Sequence, residues 1–359
     1  MPKLKHVREA ILVAHGANLI NEEECLLLYD INKSMNLDLP FWSYENFDLD
    51  QLNEDECRSE FRFLSGDIYR MADASGFPAE FTCYNGVTVG SIGAICIFLK
   101  KFAYPCRCQD MIPQFARPVP QLCMISNVVL NFMYANWNHL LSSFEQDWLS
   151  RENLEQFAND VHRSGAPLQN CWGFVDGTVR PVCRPGQFQR MLYNGHKRVY
   201  SMRFQSVVAP NGLVPNLYGP VEGKRHDSGM LAESGLLDDL QLHSFAPNGD
   251  PLCIYGDPAY PLRVHLQAGF KGANLTPQQK EWNKQMSAVR VSVEWIFGDI
   301  INYFKFLDFK KNLQVGLSAV SKMYVVCALL HNARCCLYGN MTSSFFDTEA
   351  PILEEYFTR

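Results

Sequence analysis

The sequence predicts an α/β protein: a mixed sheet with flanking helices, preceded by a helical region of helix-turn-helix-like outline. Up to about Trp137, apolar residues recur at the spacing of one helix face. After Trp172 the texture changes to short apolar or alternating runs closed by turn residues, which read as strands. Helical patterns then return between and after those runs, so helices are expected to cover the sheet.

Residues 1–56 start helical and turn acidic and loop-rich (NLDLPFWSYENFDLDQLNEDE), the pattern of a surface arm. Residues 57–150 form the helical region. Phe61, Leu64, Ile68 and Met71 lie three or four apart, as on one helix face. A second helix is expected over 88–102, opened by a Thr or Ser cap. A short third lies near 110–115. The chain stops at Pro118-Val119-Pro120 and restarts as a longer helix over 121–137. This order outlines a helix-turn-helix unit and, equally, a small bundle; the last helix has few basic side chains.

The core is expected over 170–336, with 337–359 as a tail. Strands are expected at 173–176, 193–208, 213–220 and 252–256, and helices at 228–241, 288–306 and 318–336. Pro210-Asn211-Gly212 turns the second strand into the third. The first three strands are then antiparallel and the fourth is parallel to the first. The C-terminal ends of strands one, three and four share one edge, where ligands tend to gather.

Asp176 (CWGFVDGT) ends the first strand and Asp257 (LCIYGDPAY), 81 residues on, ends the fourth. Asp227 (KRHDSGM) follows the third. Glu294 (VRVSVEWIFG), 37 residues after Asp257, lies in an amphipathic helix that can reach the same edge. A carboxylate at the end of a buried strand is costly unless a charge compensates it. A divalent cation does so, and carboxylate oxygens favour Mg²⁺ or Mn²⁺ over softer-site metals. Asp176, Asp257 and Glu294 are therefore the candidate catalytic acids of a two-metal phosphodiester site. Each acid also has a plainer role. Asp176 and Asp257 suit turns, Asp227 suits a helix cap, and Glu294 suits an i,i+4 pair with Arg290.

At 359 residues, with 47% hydrophobic and 19% charged, the chain reads as ordinary globular protein. The longest apolar stretch, 87–99, is too short for a bilayer, and the first apolar block is too short for a secretory signal. The expectation is an intracellular, soluble protein with no membrane partner. Thirteen cysteines without a CxxC pair suit reduced, buried thiols rather than zinc ligands. The net charge of −6 is uneven. Residues 1–60 hold 13 acidic and 5 basic side chains, leaving 25 acidic and 27 basic in the rest. From Gly177 to Arg203 there are six Lys or Arg and no acid, a segment able to neutralise phosphates or simply to form a solvated strand face.

In order along the chain, FVDGT, YNGHKR, LYGPVEGKRHDSGM, YGDPAY and RVSVEWIFG resemble the motifs of Harbinger/PIF-type DDE transposases and the nucleases derived from them. The resemblance runs from about Trp172 to Asn332. It implies a ribonuclease H-like core and a DDE triad of Asp176, Asp257 and Glu294. It also implies Asp227 as a further metal residue, giving Asp176, Asp227, Asp257 and Glu294 as ligands of Mg²⁺ or Mn²⁺. His196, Lys197, Arg198 and Arg225 are expected to contact DNA, with a strand-edge charge cluster as the alternative. The resemblance further implies DNA as substrate, a separate Myb-like DNA-binding partner and a nuclear location, and it is compatible with a homo-oligomer. A non-cleaving DNA or chromatin adaptor derived from such an enzyme is the alternative function.

Overall fold

The computed structural model describes residues 4–31 and 39–358, so the first three residues of the acidic stretch, 36–38, lie outside the described residues. Helix α1 (Leu4–Gly16) is followed by α2 (Glu22–Ile31), and α3 (Glu54–Phe61) opens with a reciprocal Asn53–Glu56 capping box. The expected 61–71 stripe does not run along one helix. Arg62 takes a left-handed φ of 70° and ends α3; α4 (Ser65–Ala74) then carries the stripe onward. The Arg62 guanidinium donates to the carbonyls of Ser59, Ala103 and Tyr303, at the C-terminal ends of three helices, where a cation is favourable.

Thr88-Val89-Gly90 does not open the second helix. It forms strand β2 (Thr88–Gly90), paired antiparallel with β1 (Glu80–Thr82), and α5 (Ser91–Ala103) begins after it. The short α6 (Ile112–Phe115) follows. Next, α7 (Val119–Trp137) takes in Pro120 in its first turn, where a missing N–H costs no hydrogen bond. The sequence reading missed α8 (Arg151–Arg163). Ser150 caps it, and it buries Leu154, Phe157, Ala158 and Val161 at i, i+3, i+4 and i+7.

That face packs on β3 (Cys171–Pro181), the central strand. A short α9 (Gln189–Leu192) leads into β4 (Tyr193–Asn194) and β5 (Val199–Val208). The expected 193–208 strand is thus broken by a turn at 195–198, in which Arg198 has φ 55°. After β6 (Asn216–Glu222), the expected 228–241 helix is two helices, α10 (Asp227–Glu233) and α11 (Leu236–His243), separated at Gly235 with φ 69°. Strand β7 (Cys253–Gly256) is followed by β8 (Leu266–Ala268), three residues too short to stand out in the sequence. Helix α12 (Pro277–Arg290) abuts α13 (Ser292–Tyr303) across a break at Val291, where one helix over 288–306 was expected.

The sheet order is β6-β5-β3-β7-β8, with β4 paired to the start of β5. Strands β3, β5 and β6 are antiparallel neighbours, and β7 and β8 run parallel to β3, giving the expected mixed sheet with two strands more, β4 and β8. Helix α14 (Val320–Tyr338) is buried nearly all round, as a central helix must be. Its Asn332 holds both polar groups of the Val214 backbone and donates to the Tyr356 hydroxyl, so the tail helices α15 (Met341–Phe346) and α16 (Leu353–Tyr356) dock on the core. Among the described residues no helix is long and apolar enough to cross a membrane.

Candidate active site

Strand β3 is fully buried from Cys171 to Val175 and emerges at Asp176, half-buried. The acid does not end the strand. Pairing with β5 continues it to Pro181, while its other neighbour, β7, stops at Gly256. The parallel register sets Val175 against Gly256, so the next residues, Asp176 and Asp257, stand side by side where the β3–β7 ladder ends. Gly256 is required there. A methyl group in its place would meet Tyr260 Cδ2 at 2.6 Å and Val175 Cγ1 at 2.9 Å. Asp257 also serves as a turn residue, its Oδ1 accepting from Ala259 N at 2.9 Å.

Asp227 is the first residue of α10, and His226 precedes it as the cap without a side-chain cap bond. Its carboxylate does not cap the helix. Oδ1 accepts from Arg203 Nη2 at 2.6 Å, and Arg203 also donates to the Arg225 carbonyl. A methyl group on Gly177 would overlap this Asp227 oxygen, so the bare glycine lets α10 approach the strand. Asp176, Asp227 and Asp257 line one cavity of about 610 Å³ with His196, Lys197, Arg203, Arg225 and His226.

Glu294 and Arg198 are not among the residues lining that cavity. Glu294 lies in the first turn of α13, its side chain 59% exposed. It reaches the site through Arg290, the last residue of α12. Arg290 Nη1 is 3.0 Å from Asp176 Oδ2, and Nη2 is 3.9 Å from Glu294 Oε1. The i,i+4 pair expected from the sequence exists, but the closer bond of Arg290 is to Asp176. Arg198 sits exposed in the turn before β5 beside His196 and Lys197, not on a strand. Arg225 is half-buried and paired with Glu233 and, at 3.9 Å, with Glu222.

The basic segment is less free than its composition implies. Arg203 is committed to Asp227, and Arg180 lies over the rings of Tyr324 and Phe297. Arg184, Arg190, Lys197 and Arg198 stay exposed.

Burial, more than any other influence, raises the Asp176 carboxyl above the usual range. Arg290 and the Gly177 amide oppose that rise, and Asp257 adds to it. Tyr260 is fully buried, and its hydroxyl has no hydrogen-bond partner among the described residues. Burial raises it well above the tyrosine range, and Asp227, Asp176 and Asp257 add to the rise. Arg290, Arg203, Tyr260 and Gly177 complete the site; the sequence reading gave none of them this role. Among the described residues no three His, Cys, Asp or Glu side chains are grouped to hold a metal ion, and guanidinium groups stand on two of the acids. The donor chemistry nevertheless fits a hard divalent cation: adjacent carboxylates, one of them desolvated and destabilised by its neighbour.

Residues 175–332, less than half of the chain, match the family model described as DDE superfamily endonuclease. The matched span contains Asp176, Asp227, Asp257 and Glu294. No curated protein and no solved structure matches the chain.

Proposed function

We propose that the chain is a metal-dependent DNA endonuclease of the DDE type, of Harbinger/PIF kind, acting on phosphodiesters by hydrolysis or strand transfer. The observation that carries the reading is the side-by-side placement of Asp176 and Asp257 at the end of the β3–β7 ladder, inside the span matched by the endonuclease family. The strand order, three antiparallel strands followed by two parallel ones, supports a ribonuclease H-like core over 170–336.

Asp176 and Asp257 would hold Mg²⁺ or Mn²⁺, with Asp227 beside them and Glu294 completing the set once Arg290 yields. The bound cation supplies charge neutralisation at the scissile phosphate and a more acidic water. The chain's own groups do the rest. Lys197 and His196 line the cavity to balance phosphate charge, Arg203 holds Asp227 in its wall, and the exposed Arg198 lies next to Lys197 in the same turn. Arg290 is placed to neutralise Asp176 before substrate arrives. The helix-turn-helix-like α5–α7 unit, within the helical region 57–150, is proposed as an accessory DNA contact. Its share would be polar, since α7 contains no Lys or Arg and exposes Asn127. A Myb-like partner and a nuclear location complete the proposal and rest on the resemblance alone; a homo-oligomer is compatible with it.

A second reading, a non-cleaving DNA adaptor, has one observation in its favour: arginines occupy Asp176 and Asp227. Calorimetric titration with Mn²⁺ separates the two. The nuclease reading expects binding that weakens at least tenfold in Asp176→Asn and Asp257→Asn. A wild-type protein that binds DNA equally in EDTA and Mn²⁺, and takes up no metal, is the adaptor.

A further inference from the structure

We propose that the segment between β3 and β4 presents Phe188 as a stacking platform for an unpaired DNA base, with the strand's phosphates along Arg184, Arg190, Lys197 and Arg198. The inference rests on the nuclease reading for where the strand leads, and adds how an unpaired nucleotide is gripped.

The Phe188 side chain is 71% exposed. It belongs to no ring pair or apolar cluster among the described residues. Its φ is 58°, a left-handed conformation that bulky residues rarely adopt and that persists only where the surroundings enforce it. Here the frame is polar. Gln189 Nε2 donates to the Pro185 carbonyl at 3.0 Å. Gln189 Oε1 accepts from Arg184 at 3.2 Å and from the Tyr200 hydroxyl at 3.4 Å. The Phe188 carbonyl accepts from the amides of Met191 and Leu192. The ring is thus held out in water by bonds that do not involve it. Tyr193, 42% exposed, stands nearby in the sequence, edge-on to Tyr200.

Charge identifies the occupant. No acid occurs from Gly177 to Arg203, and four exposed cations flank the ring in sequence. Cations interleaved with exposed aromatics suit a polyanion that carries flat bases. A duplex keeps its π faces stacked and opening a step costs free energy, so an isolated exposed ring stacks at least cost on an unpaired base. The chain continues from this loop to Asn194–Lys197, which line the cavity of Asp176 and Asp257, so a strand held here leads toward the acids.

The test is binding of 12-nucleotide single strands to the full chain by fluorescence anisotropy, with base-bearing and abasic strands of equal length. Phe188→Asn keeps a residue that tolerates positive φ but removes the ring. The expectation is about tenfold weaker binding of the base-bearing strand, unchanged binding of the abasic strand, and recovery in Phe188→Trp. Equal affinity of wild type and Phe188→Asn for the base-bearing strand overturns the inference, as does an equal loss on both strands. If wild type binds duplex DNA but Phe188 is indifferent, only this inference fails. If it binds no DNA of any kind, the nuclease reading fails with it.

Discussion

Arg290 Nη1 lies 3.0 Å from Asp176 Oδ2, and both side chains are only 20% exposed. One guanidinium therefore supplies the counter-charge that lets a carboxylate emerge from a buried strand. The same group reaches Glu294 at 3.9 Å, tying two proposed catalytic acids together. Arg290 sits at the α12–α13 break, which aims it at the sheet edge.

Replacing Arg290 by Gln leaves Asp176 half-buried without its partner. The expected cost is on the order of 1–3 kcal/mol in urea denaturation with EDTA present. Added Mn²⁺ should restore part of it, because a cation bound to the folded state takes over the same charge. Equal stability of Arg290→Gln and wild type in EDTA would show that Asp176 is balanced by something else.

Gly177→Ala is expected to disturb the site from within the strand. The added methyl overlaps Asp227 Oδ1 and comes within 3.3 Å of Arg203 Nη2, so the Asp227 carboxylate must swing off Arg203 or α10 must retreat. A loss of roughly 1–3 kcal/mol is expected, with Asp227 displaced from Arg203. Gly229→Ala is the control: its methyl meets only the flexible Arg225 side chain, at 3.4 Å. Similar melting temperatures for the two variants would refute the close approach at Gly177.

Asp176 also predicts a pH dependence. Its folded-state pKa is raised, chiefly by burial, so the folded chain holds this proton more tightly than the unfolded chain. Its contribution to stability is therefore full below the unfolded aspartate value of about 3.9 and is lost as pH rises through the folded value. Without metal, wild type should lose stability relative to Asp176→Asn as pH rises from about 4 to above the folded value. The comparison is urea midpoints at the two ends; a difference independent of pH contradicts the assignment.

His331 on α14 has the opposite sign. Burial lowers it to about 4, with the Arg334 charge acting in the same direction and a Gly212 backbone contact opposing. Its stabilising contribution is present above the unfolded value of about 6.5 and is lost as pH falls through about 4, a change of order 3 kcal/mol. Wild type should lose stability relative to His331→Phe as pH falls through this window; parallel curves argue against a buried neutral imidazole.

Much of the core was legible because its strands are buried runs closed by turn residues, as in CIYG before Asp257. The α8 stripe from Leu154 to Val161 was equally readable and was overlooked. Elements set by single backbone positions were not legible. Arg62 at φ 70° and the break at Val291 depend on what packs around them. Of the site, the acids stood out because carboxylates in apolar segments are rare. Their partners did not, since Arg203 read as one of six phosphate-neutralising cations and Arg290 as the i,i+4 partner of Glu294, and only the fold brings Arg290 across 114 positions to Asp176.

The most direct measurement is the rate of cleavage of labelled duplex DNA in Mg²⁺ or Mn²⁺ by wild type, Asp176→Asn and Asp257→Asn. The account predicts metal-dependent nicking by wild type that EDTA abolishes and that each substitution lowers at least a hundredfold, while the variants remain folded. Undiminished cleavage by either variant, or DNA bound yet uncut in every metal, would contradict it.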